Sequence, residues 1–288
     1  MTPEHALLYQ NEGFLHLRDL IPPNLLRELR DAFERGFTSH QDDWRREVAQ
    51  SQAHPAYCDI PNILDRGDSF VELVDLPALV PFLLGTVGSD VQLNHTHARV
   101  FFPGKTFTAP WHSDLKNVLG IDLPHSPNFF VKVHFYLEDL HPDQGCLAFL
   151  PGSHRLPADM PRPKIEDIDR SPAVRKIIPR AGDAVLFNCH VLHMALDNRT
   201  PQPRRSLIYA YSHFWLKNYA NAVPRDLQRY AQTPLRRQLF GLEEEGVAYF
   251  DQRHDQSVRE EVWNDSFAAA SKRLFRRMRK LTSITLPP

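Results

Sequence analysis

The chain has 288 residues, enough for one large domain with elaborations or two small ones. With 34 basic and 35 acidic residues its formal net charge is -1, so no global field favours nucleic acid or an anionic membrane as partner. The three cysteines, Cys58, Cys146 and Cys189, are odd in number and widely spaced, which argues against a disulfide framework and for a reducing compartment.

No apolar run is long enough to cross a bilayer. The N-terminal residues Met1 to His5 lack a basic region followed by an apolar core, so a cytoplasmic location is expected. Residues 11–19 alternate apolar and polar around Phe14, Leu15 and Leu17, which predicts a short strand. Pro22 and Pro23 open a helix, where proline is tolerated in the first turn. Leu25, Leu26, Leu29, Ala32 and Phe33 then recur at helical spacing through Phe37. The polar, charged stretch 39–56 is expected to be a surface loop or loose helix, and 75–87 a further helix with Pro77 and Pro81 near its start.

From Val91 the texture changes. Aromatic and β-branched runs at 91–102, 129–137, 146–150, 183–187 and 206–214 are separated by proline and glycine turns. This predicts a mainly β protein, a closed or double-sheet core with helices only at the ends. The proline-punctuated stretch 157–179 is expected to be a long excursion, a lid over the site. After Trp215 the chain turns helical again, ending in the basic segment 266–281, expected as the solvated face of a terminal helix. The expected organisation is one domain over 1–288: a helical flank 1–90, a core 91–215 and a second helical flank 216–288.

The chemistry-bearing stretch is Trp111-His112-Ser113-Asp114. In an extended segment His112 and Asp114 project to the same side and can grip one cation. Two histidines and a carboxylate on one face of a metal, with positions left open, are the ligands of non-haem Fe(II) oxygenases. A second such spacing, His141-Pro142-Asp143, sits in a turn signature and is set aside. For the remaining ligand, the strand from Gly182 to Phe187 feeds into a segment holding both His190 and His193, and periodicity leaves both open.

Four segments carry a family resemblance: residues 12–19; Trp111 to Asp114; the run Asp143 to Arg155, which includes Pro151-Gly152-Ser153-His154; and Gly182 to His193, continued by Asp197-Asn198 and Arg204-Arg205. Together they resemble, in order, the phytanoyl-CoA dioxygenase family of Fe(II)- and 2-oxoglutarate-dependent oxygenases, which includes the ectoine hydroxylases. The resemblance implies a double-stranded β-helix (jelly-roll, cupin-like) core. It implies Fe(II) held by His112, Asp114 and His193, with 2-oxoglutarate and O2 as co-substrates. The arginine for 2-oxoglutarate falls on Arg204, with Arg205 as fallback; a guanidinium fork suits a buried carboxylate, which would be costly unpaired. His134 stands where a family member has a co-substrate-contacting tryptophan, and shares its strand face with Lys132 and Tyr136. Arg99 is a further candidate for the co-substrate pocket.

Two departures stand out. Where the family often has serine two residues after the distal histidine, this chain has Ala195, and the lysine before Pro-Gly is replaced at Phe101 or Phe102. Asp114 is intact, whereas halogenating relatives replace it, so oxygen insertion is expected. The implied reaction hydroxylates a C–H bond of a small-molecule metabolite and gives succinate and CO2, with desaturation, epoxidation or ring closure as other outcomes of the same cofactors. A cupin-like protein using another metal, or a non-catalytic metal-binding scaffold, are the competing expectations. Trp111, Phe107, Leu115 and Lys116 are expected in the substrate wall by position.

Overall fold

The computed structural model describes residues 1–104, 111–114, 128–156, 165, 168, 170–218 and 222–242. The expectations placed on Phe107, Leu115, Lys116, the segment 266–281 and most of 157–170 lie outside the described residues.

A six-stranded antiparallel sheet runs in the order β1 (Phe14–Leu17), β7 (Ala184–Asn188), β4 (Phe130–Tyr136), β9 (Arg204–His213), β3 (Val91–Phe101), β2 (Tyr57–Ile60). A three-stranded sheet faces it, in the order β6 (Arg175–Ile177), β5 (Leu147–Phe149), β8 (His193–Ala195). This is the double-sheet, jelly-roll architecture expected. Side chains alternate across each strand, so parity divides two apolar layers. Val131, Val133 and Phe135 of β4, with Leu207 and Tyr209 of β9, point outward and meet the helices. Phe14, Tyr136, Val185 and Phe187 point inward, against Leu147 and Phe149 of the small sheet.

The outer layer is closed by α2 (Pro23–Ala49), whose Leu25, Leu29, Ala32 and Phe33 form its buried stripe. This helix runs through much of the polar stretch 39–56, expected as a surface loop or loose helix. Trp44 explains why: its indole N–H donates to Tyr57 O at 2.8 Å and its ring stacks on Phe102 at 4.8 Å, anchoring a turn whose other side chains are solvated. The short helices α3 (Asp68–Glu72) and α4 (Val80–Thr86) follow, and Tyr209 of β9 donates its hydroxyl to Phe70 O at 2.7 Å. A helix absent from the sequence reading, α1 (Pro3–Glu12), precedes β1 and is started by a Thr2–His5 capping box. It stops at Gly13, φ +87°, where an added Cβ would lie 2.5 Å from His154 Nδ1. Beyond β9, α5 (Leu227–Tyr230) and α6 (Pro234–Leu239) fold back: Arg236 pairs with Asp75 at 2.9 Å and Glu72 at 3.0 Å. Among the described residues no helix is long and apolar enough to cross a membrane.

Candidate active site

The site lies between the sheets. His112 and His193 face one another in an isolated antiparallel bridge: His112 N donates to His193 O at 3.1 Å, and His193 N donates to His112 O at 3.0 Å. The extended segment expected at 111–114 is thus strand-like only at His112, because pairing with β8 reaches no further. By Asp114 the backbone is already helical, yet the turn still delivers the carboxylate to the same point. One donor atom each from His112, Asp114 and His193 lie within 4.8 Å of one another, and no other such group of three exists among the described residues. Asp114 Oδ2 is 3.4 Å from His193 Nε2 and has no hydrogen-bond partner.

Each donor is prepared by its surroundings. His193 Nδ1 faces Val191 O at 3.0 Å, which orients the ring and leaves Nε2 for a metal. Burial, with Phe187 at 4.8 Å and Phe149 at 5.8 Å between ring centroids, pushes its pKa down to about 4, although Asp114 pulls the other way. The imidazole is therefore neutral at pH 7, the form that ligates metals. For Asp114, burial alone would raise the pKa; the Lys132 ammonium, 2.9 Å from Oδ1, and the two imidazoles hold it well below the usual carboxylate range.

His190, the alternative ligand, has Nδ1 3.3 Å from His154 O, and its own N–H donates to Asn188 Oδ1 at 2.8 Å. It braces the turn between β7 and β8. His141 and Asp143 are exposed and 3.9 Å apart in a turn. Trp111, expected in the substrate wall, instead packs with Ala148, Leu150 and Met194 on the outer side of the small sheet. With His112 turned inward, its neighbour must face outward.

Deeper between the sheets, the inner faces of β4 and β9 carry Lys132, His134 and Tyr136 opposite Ala210, Ile208 and Ser206. Arg204 continues the row, paired with Phe101 of β3. It is 3% exposed, donates from Nη1 to Gly145 O, and lies over the Phe101 ring at 5.0 Å. Burial pushes its pKa down. Phe101 thus occupies the departure noted in the sequence, supporting the guanidinium with a flat ring. Ala195 shares His193's face of β8 and packs into the inter-sheet core without a hydroxyl. Arg204 Nε, Tyr136 Oη, Ser206 Oγ and His134 Nδ1 are all buried without a hydrogen-bond partner. Buried polar atoms are rarely left so, and four on two adjacent strands fit a polar ligand.

The other arginines are differently engaged. Arg205, of opposite parity, pairs with Glu34 at 2.8 Å and Glu138 at 2.9 Å. Arg99 forks onto Asp59, at 2.6 and 2.7 Å, and lies over Tyr57 at 4.4 Å. Asp59 carries no signal in the sequence, because the four-residue edge strand β2 that holds it is not legible there. That Lys132 reaches Asp114 is likewise a tertiary fact, signalled in the sequence only by its position on the polar face of β4.

A family model described as phytanoyl-CoA dioxygenase (PhyH) matches residues 9–206. Ectoine dioxygenase of Nocardia farcinica is 28% identical over 235 residues, 73% of this chain and 77% of its own length. Peroxisomal phytanoyl-CoA dioxygenase of Homo sapiens is 24% identical over 234 residues, 72% of this chain and 67% of its own. The same fold occurs in HygX from Streptomyces hygroscopicus, solved with nickel, 2-oxoglutarate and hygromycin B bound. Its TM-score is 0.58 at 17% identity, covering 79% of this chain and 94% of that one. It also occurs in SnoK, the non-heme alpha ketoglutarate dependent carbocyclase from nogalamycin biosynthesis, with TM-score 0.53 at 18% identity and coverage of 74% and 84%.

Proposed function

Because the chain belongs to the phytanoyl-CoA dioxygenase family and is a 2-oxoglutarate-dependent non-haem iron dioxygenase, we propose that it hydroxylates a C–H bond of a small-molecule metabolite. The balance is substrate–H, O2 and 2-oxoglutarate in, and substrate–OH, succinate and CO2 out. His112, Asp114 and His193 would hold the Fe(II), with Asp114 Oδ2 as the carboxylate donor. Bound iron supplies, with O2 and 2-oxoglutarate, the oxidant that attacks the substrate. Everything else falls to the chain. Arg204 pairs the distal carboxylate of 2-oxoglutarate, and Tyr136 and Ser206 offer hydroxyls beside it. Phe101, Phe149 and Phe187 keep water from the buried charges, and a dry, fixed geometry positions one C–H bond. The presence of a carboxylate at 114 supports oxygen insertion over halogenation.

The observation that carries this reading is a pair of unmet needs between the two sheets. A three-donor cluster has its central carboxylate oxygen unbonded, and a buried guanidinium has no carboxylate among the described residues. The test is anaerobic addition of Fe(II) and 2-oxoglutarate, followed by the weak visible metal-to-ligand charge-transfer band. Wild type and His190→Ala should show the band and His193→Ala should not. Its absence from wild type, or its survival in His193→Ala, would refute the assignment. Succinate release across a metabolite panel then identifies the substrate.

A further inference from the structure

The charges gathered around the three-donor cluster select a class of substrate. On the inner face of the six-stranded sheet and at residue 114, the described residues present three fixed cations, Lys132, Arg99 and Arg204, and two carboxylates, Asp59 and Asp114. Arg99 is matched by Asp59. Arg204 is matched once the distal carboxylate of 2-oxoglutarate arrives. The two charges of a divalent metal are matched by Asp114 and by the carboxylate next to the 2-oxo group. Lys132 is left over. Without the metal its charge is met by Asp114 at 2.9 Å; with the metal in place that carboxylate is shared.

Position decides what Lys132 could serve. It lies level with the ligand set: its partner across β7 is Phe187, whose ring is 4.8 Å from His193. Along β4 it lies on the far side of His134 from Tyr136, and so away from Arg204 and the co-substrate. Its side chain is 13% exposed. A largely buried ammonium without a counter-charge is costly, and a ligand that supplies one is favoured accordingly.

We propose that the substrate carries a carboxylate, received by Lys132 beside the metal, and that Lys132 sets this specificity. This rests on the oxygenase reading, and the experiment separates the two. Wild-type protein holding Fe(II) and saturating 2-oxoglutarate without oxygen is titrated with two matched pairs, butyrate against butyramide and benzoate against benzamide. Binding is read as a shift of the charge-transfer band. Each acid should bind at least about tenfold more tightly than its amide, the worth of one charge-assisted hydrogen bond. Lys132→Met should abolish that preference and Lys132→Arg should keep it. If Lys132→Met does not form the band, the Lys132→Arg comparison decides alone. Amides that bind as well as the acids, acids that do not bind, or a preference that survives Lys132→Met or is lost in Lys132→Arg would each overturn the proposal. A wild-type protein with no band at all would instead sink the oxygenase reading, and this inference with it.

Discussion

Arg204→Met separates a co-substrate role from a structural one, because the two roles predict opposite pairs of results. Arg204 is 3% exposed, and its guanidinium faces no carboxylate among the described residues. Keeping such a cation out of water costs roughly several kcal/mol. Against this stand the bond to Gly145 O, about 1.5–3 kcal/mol for a charged donor, and the Phe101 ring at 5.0 Å, about 2 kcal/mol when desolvated. The contributions nearly cancel. Methionine fills much of the same space without a charge, so the ligand-free protein should stay within about 2 kcal/mol of wild type in urea unfolding. Binding of 2-oxoglutarate behaves differently. Truncating one partner of a buried charge pair costs about 2–5 kcal/mol, or about 30- to 4,000-fold in Kd. The assay is anaerobic titration of the Fe(II) protein with 2-oxoglutarate, followed by the charge-transfer band. A variant destabilised by more than about 3 kcal/mol with unchanged 2-oxoglutarate affinity would refute the reasoning.

Arg205→Met is the paired control. Its partners Glu34 and Glu138 are partly exposed, so stability should change by less than about 1 kcal/mol and 2-oxoglutarate affinity not at all; a weakened affinity here would transfer the role to Arg205. Gly145→Ala forces φ +67° on a residue with a Cβ, placed 2.7 Å from the Phe101 ring and 3.1 Å from Leu196 O. It should cost about 2–4 kcal/mol in urea unfolding and weaken 2-oxoglutarate binding, because Phe101 and Gly145 O both support Arg204. At Asp183, burial would raise the pKa, but backbone donors from Arg180 and Asp19, each at 2.9 Å, and His16 at 2.8 Å hold it below the usual carboxylate range. With the folded value below the unfolded one, its contribution is present above about pH 4 and lost as pH falls through the folded value. Asp183→Asn should therefore lose about 1–3 kcal/mol at pH 7 and show a shallower decline between pH 5 and 3 when unfolding midpoints are compared.

The strands legible in the sequence are those that stand in an apolar, aromatic or β-branched run bounded by turn residues, the short β1, β5 and β7 among them. β3, β4 and β9, of seven to eleven residues, carry an apolar outer face and a mixed inner face, and each was placed to within a few residues. β8, of three residues, and β2, of four, stand in no such run, and their existence depends on partners distant in sequence. That is why periodicity alone leaves His190 and His193 both open: what brings His193 beside His112 is the bridge between them, a tertiary fact. The second half of α2 was obscured for the converse reason. Its turns are polar nearly all round, and one indole holds them to the sheet. α1 has no apolar stripe and is specified by its ends, Thr2 and Gly13. Arg99 was recognisable as a charged residue on a strand of interest, but its pairing with Asp59 follows from the β2–β3 register, which no local pattern announces.

The two imidazoles are joined by their own main chains, each amide donating to the other's carbonyl. A metal gripped by both side chains therefore rivets a seam already stitched by peptide groups, and its binding energy adds to the work of prising that seam apart. Chelation should hasten deuterium uptake at the amides of residues 112 and 193 while sparing those in the middle of β4. The cofactor would then act as the fastener that keeps the small sheet's edge shut, in addition to whatever chemistry it performs.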